Sequence, residues 1–219
     1  ILTGSVKMSS IFGALLISVN PEILSPWEKI TKRIVDVLLS ILAILILLPV
    51  FILLSFLIKT GSKGPIIFKQ KRIGLYGNPF WIFKFRSMIT EAEKDGPQLS
   101  SQNDPRITAI GKFMRKTRLD ETPQFFNVIK GDMAIVGPRP EREYYIEKIV
   151  VKAPHYKHVL KVKPGITSWG QIKFGYAENV DEMVARLKFD LLYVENMSLS
   201  LDVKILFYTA IIMIKGDGK

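Results

Sequence analysis

The chain has 219 residues, with 31 Lys and Arg against 20 Asp and Glu, a formal charge of +11 at neutral pH and a pI near 9.7. That length allows one ordinary domain plus a membrane element, and the basic balance points to nucleic acid, acidic lipid or phosphorylated ligands as partners. A mean hydropathy of +0.21 argues against a nucleic-acid binder. The absence of Cys excludes disulfides and thiolate metal sites, and His155 and His158 do not suffice for a common His-based zinc site.

In chain order, residues 1–27 read as a leader or the remnant of a preceding region. The chain starts at Ile1 rather than Met, so it reads as a piece of a longer protein. The apolar run 11–19 is too short to span a bilayer and suits a strand, and Pro21 and Pro26 mark a linker. Residues 37–58 then run without a charge, roughly 33 Å of helix, enough for a membrane span. Pro49, preceded by Leu48, interrupts the run and predicts a kink. Lys29, Lys32 and Arg33 flank it on one side, Lys59 and Lys63 on the other, so positive charge assigns no direction of crossing. A straight span and a bent helix that returns to the same face both satisfy this pattern.

Short strands are predicted at 66–68, 72–77 and 79–85, around the turn 76–79. Alternation in W-I-F-K-F-R-S-M places Lys84 and Arg86 on one strand face, either solvated or lining a site. Residues 108–118 carry a helical pattern with Ile110, Phe113, Met114 and Thr117 on one face. A helix over 124–129 ends in a Lys130-Gly131 cap. Residues 132–136 form a short apolar piece, 141–153 a solvated helix, and Pro164-Gly165 a turn. Residues 166–174 read as strand or loop at a pocket wall, and 180–195 as a helix. The apolar helix over 199–214 suits either the bilayer interface or a buried position.

The densest chemistry lies in R-K-T-R-L-D-E-T-P-Q-F-F-N-V-I-K-G-D-M-A-I-V-G-P-R-P, residues 115–140. Asp120 and Glu121 follow Arg115, Lys116 and Arg118. Paired carboxylates among cations suit a divalent metal and a phosphate. They equally suit a helix start, with Asp as cap, Glu in the first turn and Pro123 behind it. The two readings are compatible, because helix N-termini attract phosphate.

This block closely resembles the core signature of the bacterial sugar transferases, the monotopic polyprenyl-phosphate phosphoglycosyl transferases. K-R-I-V-D-V, F-K-Q-K-R-I-G, F-K-F-R-S-M, D-P-R-I-T-A-I-G-K-F-M-R, K-P-G-I-T and Y-V-E-N-M-S-L-S-L-D-V-K-I-L extend the likeness from about Ile30 to the C-terminal helix. Thr122 stands where the family usually has Leu, and Ser168 where Gly is common; neither change removes a charge. The resemblance implies an α+β, helix-rich monotopic membrane protein with a small β element and interfacial amphipathic helices. Its anchor, residues 28–60, would be a re-entrant helix–break–helix broken at Leu48-Pro49. Residues 61–219 would form a catalytic domain on the cytoplasmic face of the bacterial inner membrane, ending in an interfacial helix.

The implied activity is transfer of a sugar-1-phosphate from a UDP-sugar to polyprenyl phosphate, with release of UMP, as a first membrane step of polysaccharide or glycoconjugate synthesis. Asp120 would be the nucleophile, and Asp120 and Glu121 would hold Mg²⁺, with Mn²⁺ as the alternative ion. Lys84, Arg86, Arg115, Arg118 and the Pro138-Arg139-Pro140 turn, with Arg142 nearby, would contact phosphate or nucleotide. Membrane lipid is an expected partner and nucleic acid is not. Downstream glycosyltransferases and self-association stay open as further partners. The rival reading is a membrane-anchored scaffold that binds anionic lipid without catalysis.

Overall fold

The computed structural model describes residues 6–11, 14–19, 24–94, 96–100 and 104–215. Helices dominate, with a few short strands, giving an α+β fold. At the N-terminus β1 (Val6–Ile11) pairs antiparallel with β2 (Ala14–Val19), in agreement with the strand expected there. The linker expected over 20–27 lies partly outside the described residues.

Helix α1 (Pro26–Gly61) is 36 residues long, roughly 54 Å at about 1.5 Å per residue. Ser25 and Glu28 form a reciprocal capping box, and Pro26 occupies the first turn. The helix runs on through Leu48 and Pro49, rather than as the helix–break–helix implied by the family resemblance. Its middle turns project into solvent: Ile41, Leu42, Leu45, Ile46 and Leu48 are all exposed. This long apolar helix, little of it buried, fits a membrane anchor.

Both ends of α1 rest on the rest of the molecule. Near the start, Lys32 donates to Val136 O and Asp202, and Arg33 donates to Val128 O and Ile129 O. Near the end, Leu54 and Ile58 pack with Phe85 and Met114 in a buried cluster.

Strands β3 (Ile67–Ile73) and β4 (Pro79–Phe85) form an antiparallel hairpin. The two separate strands expected before the turn are thus one strand, with residues 75–77 a 3₁₀ turn. Helices α2 (Ala109–Lys116) and α3 (Gln124–Lys130) flank the 3₁₀ turn Leu119–Glu121. Thr108 caps α2, and Gly131, at φ 100°, ends α3 in the left-handed conformation that glycine favours. Asn127 is fully buried and ties α3 to the β4 edge, accepting from Phe83 N and donating to Trp81 O.

Strand β5 (Ala134–Val136) pairs parallel with β6 (Gly165–Thr167). The backbones touch at Gly137 and Gly165: a Cβ on Gly137 would lie 2.4 Å from Lys163 O, so no side chain fits there. Helix α4 (Glu143–Lys152) is not simply solvated, because Tyr145 and Ile149 anchor a core cluster with Tyr156, Met183 and Leu187. The segment expected as strand or loop over 166–174 divides into the end of β6 and a short helix α5 (Trp169–Lys173). Helices α6 (Val180–Glu195) and α7 (Leu199–Lys215) close the fold. Helix α7 is half-buried: Ile205 packs into the core with Val128, Ile135 and Tyr193, while Val203 and Phe207 remain exposed.

Candidate active site

Asp120 and Glu121 sit on the 3₁₀ turn between α2 and α3, both buried. They face a cavity of about 270 Å³ whose wall includes Lys84, Arg86, Arg115, Arg118 and Arg139. The structure thus brings these predicted cations to one place, from β4, α2 and the loop after β5. The prolines of the Gly137–Pro140 turn act through the backbone: Pro138 O accepts from Gly165 N, and Pro140 O accepts from Arg72.

Glu121 is held by three cations. Lys84 Nζ donates to Oε1 at 2.6 Å, Arg139 Nη1 lies 3.5 Å from the same oxygen, and Arg118 Nη1 lies 3.4 Å from Oε2. Burial opposes its ionisation, but Lys84, Arg139 and Arg118 outweigh burial and hold its carboxyl well below the usual range. Arg139 responds in kind: burial alone would lower it, yet the Glu121 charge drives it above the ordinary arginine value.

Asp120 behaves oppositely. No donor among the described residues hydrogen-bonds its carboxylate. Burial and the neighbouring Glu121 charge push its pKa up to about 6, against the pull of Lys84, Arg115 and Arg118. It is therefore ionised at neutral pH and faces the cavity without a hydrogen bond from the described residues, an arrangement that suits a nucleophile.

The other cations are differently committed. Arg115 donates to Ser87 Oγ and Ser100 Oγ, and Arg142 to Glu93. Arg86 lines the cavity, yet its guanidinium donates to Ile58 O, Ser62 O, Ser62 Oγ and Lys63 O, where it clamps the C-terminus of α1.

Three participants escaped the sequence reading. Glu141 accepts from Arg186 at 2.5 Å and from Arg72, and stands 4.0 Å from Arg139 Nε, so it supports the arginine from behind. The Tyr176 ring lies under the Arg139 guanidinium at 5.6 Å. Gln171, turned so that its carbonyl oxygen faces the guanidiniums, accepts from Arg139 at 2.6 Å and from Arg118 at 3.2 Å. Only Glu141 had a local signal, its place directly after G-P-R-P.

The fold and site define an α+β protein with one long helix that fits a membrane anchor and an aspartate in a cation-lined cavity, a combination suited to phosphate-bearing ligands. The chain belongs to the bacterial sugar transferase family, whose model matches residues 27–216. It is 40% identical over 217 residues to a UDP-N-acetylgalactosamine-undecaprenyl-phosphate N-acetylgalactosaminephosphotransferase of Aeromonas hydrophila, covering 99% of this chain and 51% of that one. It is 39% identical over 206 residues to a UDP-glucose:undecaprenyl-phosphate glucose-1-phosphate transferase of Escherichia coli (strain K12), covering 93% and 44%. A protein of the same printed function from Caulobacter vibrioides is 35% identical over 191 residues, covering 85% and 71%. The chain spans about half the length of the first two relatives.

Proposed function

We propose that this chain transfers a sugar-1-phosphate from a UDP-sugar to undecaprenyl phosphate and releases UMP. The observation that carries the reading is Asp120, an ionised carboxylate facing a cavity walled by Lys84, Arg115, Arg118 and Arg139. In the first step an Asp120 oxygen attacks the β-phosphorus of the donor. The bond from that phosphorus to the UMP oxygen breaks, and UMP leaves. In the second step a phosphate oxygen of the acceptor attacks the same phosphorus and expels the Asp120 carboxylate, giving the diphosphate-linked lipid. The surrounding cations offset charge on the equatorial oxygens. The relatives' printed names, which pair UDP-sugars with undecaprenyl phosphate, support the same pair of substrates here.

Mg²⁺ is the metal this site suits. Asp120 and Glu121 offer only oxygen, and Mg²⁺ beside phosphates takes one or two carboxylates. Asp120 is the more available ligand, because Glu121 already meets Lys84, Arg118 and Arg139. Bound there, the ion would supply charge neutralisation on the donor diphosphate.

Helix α1 enters and leaves the bilayer by one face, the cytoplasmic face of the inner membrane in this reading. Its two ends dock on the same body, through Lys32 and Arg33 at the start and Ile58 and Ser62 at the end, while the turns between project outward. A helix crossing the membrane would place those ends on opposite sides of it. Pro49 leaves one carbonyl of the projecting segment without its helical hydrogen bond, which would make this the easiest place for the helix to bend.

The test is UMP release by the detergent-purified protein against a panel of UDP-sugars, with undecaprenyl phosphate, before and after EDTA. Release with at least one sugar is expected, lost by at least a hundredfold in Asp120→Asn and lost on chelation. Turnover of Asp120→Asn within tenfold of wild type removes the nucleophile assignment, and full activity after EDTA removes the metal. No release with any sugar would favour the lipid-binding scaffold.

A further inference from the structure

We propose that a second, apolar cavity seats the first isoprenoid units of the acceptor, and that Arg118 receives the acceptor's phosphate at its mouth. This rests on the transferase reading above. The cavity measures about 880 Å³, within the roughly 300–1,000 Å³ of ordinary ligand sites. It lies between α1, α3, α5 and α7, lined mainly by apolar side chains such as Leu47, Phe125 and Leu206, with Lys173, Glu178 and Glu182 also on its wall.

Two features select its occupant. Leu47 belongs to the outward-projecting part of α1, next to Leu48 and Pro49, so the cavity reaches the segment of the protein placed in lipid. At the other end it shares Arg118, Glu121 and Tyr176 with the polar cavity that holds Asp120, and shares no other residue with it. One end therefore meets hydrocarbon and the other meets the reacting carboxylate. A molecule with a long apolar tail and a phosphate head matches both ends, whereas a nucleotide sugar has no apolar tail to fill the second cavity.

Arg118 is the cation built for that junction. It adopts a left-handed backbone, φ 58° and ψ 15°, which is strained for a residue with a Cβ and turns the chain directly before Leu119. Lys84, Arg86, Arg115, Arg139 and Arg142 are engaged as described above. Arg118 touches Glu121 and Gln171 through Nη1 alone. Its Nε and Nη2 make no hydrogen bond among the described residues, which leaves donors on two edges of a fork matched to phosphate oxygens. Gln171 links it to Arg139 and so fixes the guanidinium between the two cavities.

The experiment measures both substrate dependences of UMP release for wild type, Arg118→Met, Arg118→Lys and Ala210→Trp, using undecaprenyl phosphate and a short, water-soluble isoprenyl phosphate as acceptors. Ala210 lies on the apolar cavity wall and is exposed, so the larger side chain fills the cavity without invading the core. Arg118→Met should raise the KM for both acceptors by about tenfold or more while shifting the donor KM less than threefold, with partial recovery in Arg118→Lys. Ala210→Trp should raise the KM for undecaprenyl phosphate, and for the short acceptor as far as its isoprenoid units enter the cavity, while leaving the donor KM within threefold. A donor KM that rises in step with the acceptor KM in Arg118→Met places the residue on the nucleotide side and overturns its role. An unchanged long-chain KM in Ala210→Trp removes the cavity. Wild type that releases no UMP with any donor fails the transferase reading itself, a result separate from either.

Discussion

Lys32→Met should loosen the joint between the anchor and the catalytic body. Lys32 Nζ lies 2.5 Å from Asp202 Oδ2, 3.1 Å from Val136 O and 3.7 Å from Asp36. The Tyr193 hydroxyl lies 2.8 Å from the other Asp202 oxygen. The Lys32 and Asp202 side chains are only 10% and 11% exposed, so screening by water is weak. Methionine keeps most of the length and apolar volume but removes the charge, which leaves two carboxylates buried without their cation. Breaking a buried pair in this way costs about 3–5 kcal/mol. Denaturant unfolding in a fixed detergent at pH 7.5 measures it. Lys32→Met with Asp202→Asn should recover at least half of the loss, since the pair is then removed from both sides. A loss below about 1 kcal/mol in Lys32→Met, or no recovery in the double variant, refutes the claim that this pair holds α1 in place.

Asp120→Asn should stabilise the metal-free, substrate-free protein while abolishing transfer. The rise of the Asp120 pKa from 3.8 to about 6 corresponds to about 3 kcal/mol at most. That penalty is present in full above about pH 6 and fades as the folded protein takes up its proton, vanishing below 3.8; melting in EDTA should therefore show a gain at pH 8 that shrinks by pH 5, and an equal or lower midpoint at pH 8 contradicts it. Cysteines introduced at Lys29 and Lys63, in a chain with none of its own, should both resist an impermeant reagent in intact cells and both react after permeabilisation. Labelling of one alone in intact cells means that α1 crosses the membrane.

The elements legible in the sequence were those whose signal is local. The charge-free run of α1, the Asn179 start of α6 and the acidic pair before Pro123 each declare themselves within a few residues. Strands β5 and β6 are three residues each and pair across a long stretch of chain, so no periodicity could reveal them. Helix α4 looked solvated because its charges outnumber the two residues it buries, Tyr145 and Ile149. Alternation put Lys84 and Arg86 on one face correctly, but face says nothing about reach: one side chain stops at Glu121 and the other extends to the end of α1. Gln171 and Tyr176 join the site from a helix and a loop distant in sequence, which only the folded chain brings near.

That divergence of Lys84 and Arg86 makes the end of β4 a depth gauge. The clamp on α1 and the cation beside the acidic pair are two residues apart at the end of β4, about 7 Å of extended backbone. No hinge or flexible tether lies between them. If α1 lies in the bilayer as proposed, the height of Asp120 and Glu121 above it is set by a rigid rod, and any tilt of the anchor is handed directly to these carboxylates.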